Sequence, residues 1–206
     1  MRITRIVFAI AAALSLALPA AAQYVPVLQS ADTIRPGGFK LMAAPVAVFG
    51  KDNADDEFGV ALRGGFGLAE RFDGEVKLGI FENYTALGGD VEFGLLETDG
   101  LDFSLGGGLH YLFGKDDWYD VLGFEITPLF SGPVMDRLEL FAGLNVAFES
   151  IQDAPAGFDD TFTRVHLVPG IEYSLSEAFD LVGEVGIGMN DDSFTYVGAG
   201  VAYYFR

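Results

Sequence analysis

The chain has no cysteine, so disulfides and thiolate metal sites are out of reach. It is short of positive charge, with 12 Lys and Arg against 30 Asp and Glu. Two of those basic residues, Arg2 and Arg5, belong to the first few positions. That balance repels nucleic acid, whose binding rests on cationic side chains neutralising phosphates. There is also no apolar run after Ala22 long enough to cross a bilayer as a helix, which takes about 20 residues. The 27 glycines argue against long helices of any kind. Yet half of the residues are hydrophobic and mean hydropathy is +0.33. So much apolar content without a helical span predicts hydrophobic residues spread along strands. In a membrane only a closed barrel lets strands satisfy every backbone group.

The first residues read as an export signal. Arg2 and Arg5 precede an apolar stretch from Ile6 to Leu18, and Ala20-Ala21-Ala22 offers the small-x-small pattern of a cleavage site. Residues 1–22 are therefore expected to be a cleavable signal peptide, with cleavage before Gln23. The missing cysteine after the apolar stretch excludes a lipid-anchored lipoprotein. Residues 23–36 have no clear periodicity and are expected either to stay in the periplasm or to fold into the barrel as a partial plug. Residues 37–206 are the expected transmembrane β-barrel, a single domain.

Alternation along the chain carries that expectation. Leu138, Leu140, Ala142, Leu144, Val146 and Phe148 alternate with Glu139, Phe141, Gly143, Asn145, Ala147 and Glu149. The stretches 101–113 and 165–174 show the same period of two, with one greasy face and one polar or glycine face. A soluble sandwich would alternate as well, but three further features separate the readings. The strands predicted at 38–49, 57–68, 74–82, 87–96, 101–113, 119–130, 137–149, 161–174, 180–189 and 194–205 mostly match or exceed the roughly 9–11 residues of a tilted membrane strand. Connections alternate between short turns (69–73, 97–100, 131–136, 175–179) and more acidic, sometimes longer loops (50–56, 83–86, 114–118, 150–160, 190–192). Aromatics gather at both strand ends: Phe49, Phe58, Phe81, Tyr84, Trp118, Phe148, Phe162 and Phe194 at one, Phe39, Phe66, Phe103, Phe130, Phe179 and Phe205 at the other. Two such girdles suit two water–lipid interfaces. The expected fold is all-β: an up-and-down antiparallel transmembrane barrel of about ten strands, with eight as the alternative.

The C-terminus carries the most specific motif. Gly200-Val201-Ala202-Tyr203-Tyr204-Phe205 resembles the signal read by the outer-membrane barrel assembly machinery. Gly200, Tyr203 and Phe205 fit it; Gly198 stands where a polar residue is usual, and Arg206 extends past the terminal aromatic. With the N-terminal signal, the chain resembles small Gram-negative outer-membrane barrels of the OmpA-transmembrane, OmpX and OmpW kind, without pointing to one subfamily. The resemblance implies a porin-like cell-envelope protein with outer-membrane lipid and lipopolysaccharide as partners, and the assembly machinery as a partner during biogenesis. Those relatives usually have eight strands.

Parity places an unusual set of charges on the inward face: Lys40, Arg63, Lys77, Asp90, Glu92, Asp102, Glu125, Arg137, Glu139, Arg164, Glu172 and Glu184. Either they pair into a plugged interior, since an unpaired buried charge is costly, or they line a narrow hydrated pore that favours cations. Lumen-facing glycines such as Gly65, Gly67, Gly106, Gly108, Gly186, Gly188, Gly198 and Gly200 leave volume to be filled. The two histidines, His110 and His166, also project inward but lie three strands apart. No serine sits in a motif that suggests an activated nucleophile, so no enzyme and no catalytic residue is expected. The acidic loop residues, Glu57 and Asp120 among them, read as solvated. The segment from Asp52 to Asp56 lacks the glycine and distal glutamate of a calcium loop, and neither metal nor cofactor is expected. The function expected is an integral outer-membrane barrel, a narrow non-specific small-solute channel or a structural barrel. A surface binding or adhesion barrel is the alternative and an outer-membrane enzyme the third reading.

Overall fold

A computed structural model describes residues 26–51, 55–116, 118–154 and 160–205. The signal peptide expected at 1–22, and Asp52, Asp117 and Asp159 of the acidic loops, lie outside the described residues. Ten antiparallel strands form a closed barrel: β1 (Phe39–Phe49), β2 (Glu57–Ala69), β3 (Phe72–Phe81), β4 (Tyr84–Leu96), β5 (Asp102–Gly114), β6 (Val121–Met135), β7 (Leu138–Ile151), β8 (Thr161–Ser176), β9 (Phe179–Gly188) and β10 (Thr195–Phe205). Each strand pairs with its sequence neighbours, and β1 pairs with β10 from Phe39↔Phe205 to Phe49↔Thr195. Closure removes both edges, and with them any exposed row of backbone donors and acceptors. The ten-strand count holds over the alternative of eight.

The short-turn end is built the same way four times. The β2–β3, β4–β5, β6–β7 and β8–β9 ladders each slip by one residue at Gly67/Ala69, Gly94/Leu96, Pro133/Met135 and Ser174/Ser176. A bulge at each hairpin mouth increases the local twist and re-aims the chain into its turn. Proline leaves its own mark, because it cannot donate to a ladder. Register is skipped at Ala44-Pro45 between β1 and β10, at Thr127-Pro128 between β6 and β7, and at Val168-Pro169 between β8 and β9.

Burial alternates along every strand, with the apolar face outward. Phe58 (66% exposed), Val76, Leu109, Leu140, Ile171 and Val201 all face out. An exterior this apolar is the inverse of a water-soluble surface and matches a lipid-facing wall. The girdle at the short-turn end is real and paired across strands: Phe72 and Phe93 stack at 4.3 Å, Phe103 and Phe130 at 4.5 Å, and Phe39 meets Phe205 at 5.4 Å. The other girdle is thinner than expected. Phe81, Tyr84 and Phe194 turn inward and are buried, because Phe81 shares the parity of Lys77 and Tyr84 stacks on Phe81 at 4.6 Å. They close the mouth of the lumen instead of meeting lipid.

Refolded, unboiled protein should migrate at a different apparent size from boiled protein on a detergent gel. Unchanged mobility, together with purification as a detergent-free monomer, would refute a membrane barrel.

Candidate functional site: a filled lumen

Inward parity on ten strands brings the predicted charges together. Lys40, Arg63, Lys77, Glu92, Asp102, Glu125, Arg164 and Glu184 are buried within the barrel, and Asp90, Glu139 and Glu172 are half-buried there. Arg137 is the exception and is corrected. It lies in the exposed two-residue turn Asp136-Arg137 with φ 72°, beyond the last inward position of β7. The bulge at Pro133/Met135 ends β6 there, and the Arg137 carbonyl accepts from the Ser174 amide at 2.9 Å.

Three charge clusters cross the interior. At the short-turn side Glu75 bridges Lys40 and Arg63, with Arg63 at 2.5 Å. In the middle Lys77 meets Asp90 at 2.5 Å and Glu125 at 3.3 Å, and Asn145 donates to Glu125 at 2.9 Å. Toward the long loops Glu149 lies 2.8 Å from both His110 Nε2 and Arg164 Nε. The Arg164 contact is a charge pair, not an aligned hydrogen bond. The Arg164 guanidinium also faces the rings of Phe162 at 4.9 Å and Phe194 at 5.7 Å, a stacked setting suited to arginine. Each of the four lumen cations, Lys40, Arg63, Lys77 and Arg164, thus contacts a wall carboxylate. Carboxylates outnumber them.

The excess carboxylates find neutral donors. Tyr196 donates its hydroxyl to Glu184 at 2.8 Å, and Ser104 bonds Glu92. Further donors come from residues 26–36, which enter from the short-turn end and run up the lumen as a strap. The Leu28 amide donates to Glu184 at 2.6 Å, Gln29 Nε2 to Glu92 at 2.5 Å, and the Ile34 amide to Asp73 at 2.6 Å. The Ala31 amide donates to the Ser131 hydroxyl at 3.1 Å, and Gln29 accepts from Arg63. Of the segment expected at 23–36, residues 26–36 lie inside the barrel against the lumen wall.

The lumen glycines make room for these fillings. A Cβ on Gly65 would sit 2.5 Å from Ile34, and one on Gly67 would strike the carbonyls of Ile34 and Arg35. Gly198 lies under Pro26 and Leu28, whereas Gly186 lies under the Tyr196 ring and Gly123 under His110. Beside the strap, on its β7–β10 side, a vestibule of about 560 Å³ stays open, bordered by Lys40, Glu139, Glu172, Asp180 and Tyr204.

Several participants escaped sequence reasoning. Glu75 shares the parity of Lys77 two residues on, so the signal was present. Asp73 was assigned to a turn, but β3 starts at Phe72. Glu57 was read as a solvated acid; as the first residue of β2 it points inward, is 1% exposed, and accepts from Asn83. Asp120 is likewise a turn-forming acceptor, taking the Gly114 amide at 2.9 Å and the Tyr111 hydroxyl at 2.8 Å. The histidines are sealed within the wall: His166 Nε2 meets the Phe194 carbonyl at 2.9 Å, and His110 is 2% exposed.

At the mouth of the vestibule the carboxyls of Asp32, Asp102 and Glu139 lie within 4.8 Å of one another. Partial desolvation where the still-exposed Asp32 side chain meets the wall, then Asp102 and Glu97, raise its carboxyl from 3.8 to about 6. A carboxyl that holds its proton more tightly when docked favours docking at low pH.

The geometry defines the class of protein: a closed ten-stranded β-barrel with an apolar exterior and a charge-paired, strap-filled lumen. No family model matches the chain, and no curated protein matches it. Solved structures similar to it include the KdgM porin (12% identity, TM-score 0.49, covering 81% of this chain and 99% of that one). The N-terminal β-barrel domain of Pseudomonas aeruginosa OprF is similar at 14% identity and TM-score 0.39, covering 82% of this chain and 98% of that one. Ail of Yersinia pestis is similar at 12% identity and TM-score 0.38, covering 82% and 99%.

Two outcomes test this site. Arg164→Ser should cost roughly 3–5 kcal/mol of unfolding free energy in lipid vesicles, because Glu149 is left buried with one partner fewer. Adding Glu149→Gln should recover much of that loss. For Asp32 the sign is fixed by the raised pKa: stabilisation is complete below about pH 4 and is lost as pH rises through about 6. The thermal midpoint of the wild type should therefore fall, relative to Asp32→Asn, between pH 4 and pH 7. A constant difference across that range would refute it.

Proposed function

We propose that this chain is an integral outer-membrane barrel that seals rather than conducts, a structural barrel of the cell envelope in contact with lipid and lipopolysaccharide. The single observation that supports this most is the filled lumen, with all four cations beside wall carboxylates and a strap over the glycine floor. The inward Phe81, Tyr84, Phe194 and Tyr196 support it from the long-loop end, as an apolar layer that water enters reluctantly. A narrow small-solute channel would need a continuous hydrated path past both obstructions. In this reading the short-turn end faces the periplasm, residues 1–22 are removed on export, and Gly200, Tyr203 and Phe205 address the chain to the assembly machinery. The protein acts, in this reading, without catalysis, and the two buried histidines hold the wall together.

Planar bilayers should show no discrete current steps when the refolded wild type inserts, at high salt and over a wide voltage range. A reproducible small, cation-preferring conductance would replace the sealed barrel with the channel.

A further inference from the structure

We propose that residues 26–36 form a releasable strap whose withdrawal opens a lumen lined by Asp73, Glu92 and Glu184 toward the short-turn end, where it takes up small cations. The proposal rests on the sealed-barrel reading and adds a second state to it. Four observations carry it.

The wall is complete without the strap, since β1 pairs with both β2 and β10 and every strand has two partners. No ion pair among the described residues uses the strap: the clusters on Glu75, Lys77 and Glu149 all run from wall to wall. Withdrawal therefore strands no buried cation, and the hydrogen bonds it breaks are ones that water can replace. A turn suited to act as the pivot lies at the strap's foot: Gly37 holds φ 76°, which glycine adopts at least cost, with nothing within 4 Å of where a Cβ would lie, and its amide anchors the turn to the Gly67 carbonyl at 2.9 Å. Finally, the vestibule of about 560 Å³ flanks the strap, so one side of the segment borders open volume and not packed wall.

What the strap covers identifies the ligand chemistry. Glu184 and Asp73 accept the Leu28 and Ile34 amides, and Glu92 accepts the Gln29 side chain. With the strap out, these carboxylates face the cavity without those donors. Arg63 loses its Gln29 acceptor but stays paired with Glu75, and carboxylates still outnumber the wall cations. Small cations fit that field, whereas anions are repelled.

Hydrogen exchange on the full chain in micelles reads the strap itself, whatever the bilayer current shows. The peptide spanning 26–36 should exchange at least a hundredfold faster than the strand peptides. A Pro26→Cys/Gly198→Cys disulfide should bring it to the strand rate until reduced. A Cβ on Gly198 would lie 3.6 Å from the Pro26 Cβ, within disulfide reach, and the chain has no other cysteine. Ser104→Cys, alone in the otherwise wild-type chain, should react at least tenfold faster with a cationic methanethiosulfonate than with an anionic one. A chain lacking 26–36 should keep its heat-shifted gel mobility. Strap exchange as slow as the wall, equal reagent rates, an inert Ser104→Cys, or a deletion that cannot fold would each overturn the proposal.

Discussion

Backbone closure is the constraint on which the rest of the structure depends. In a hydrocarbon surround an unpaired N–H or C=O has no water to turn to, so the last strand must find the first. Here β10 meets β1 across nearly the whole length of both, and Phe205 lands on Phe39 at the rim. Once the ring is closed, side-chain parity has only two destinations. Every outward position must suit lipid, and every inward position must be filled from a limited volume. The prolines show how firmly the first demand rules: Pro45, Pro128 and Pro169 each interrupt a ladder locally, and the ring holds because its neighbours on either side of each gap stay paired.

The inward demand is met by pairing large against small. Tyr196 covers Gly186, Phe141 covers Gly170, His110 covers Gly123, and the strap covers Gly65, Gly67 and Gly198. Such fillings close much of a ten-stranded wall that is slightly wider than its own side chains would fill, apart from the vestibule beside the strap. They also explain why charge is tolerated there. A lysine or arginine on one strand reaches a carboxylate on a neighbour or across the barrel, so desolvation is met by a partner at contact distance.

Most of the fold was legible because a period of two survives in any strand whose faces meet different solvents. All ten strands were placed, with errors at their ends. β6 runs to Met135, past the loop expected from Ser131, because a proline and a glycine near a bulge read as a turn. The lumen set was legible by the same parity, and it failed where parity stops: Arg137 sits past a strand end, and Glu57 just inside one. The inward aromatics Phe81 and Phe194 show the limit of reading position along a strand without its face. The strap left no periodic trace, because an extended segment held by its backbone amides needs no side-chain repeat. Its imprint was on the wall, in glycines whose missing side chains marked a space without naming its occupant.

The way the excess negative charge is handled separates this lumen from a simple ionic plug. Had the strap brought lysines or arginines to Asp73, Glu92 and Glu184, its docking would have been nearly irreversible, since leaving would bury charges unpaired. It brings backbone amides and one glutamine instead. Amide donors satisfy a carboxylate's lone pairs but do not cancel its charge, so the docked lumen stays negative. The segment therefore seals by shape and hydrogen bonding while the wall keeps its field. That division leaves the ion pairs of the wall intact whether the strap is in or out.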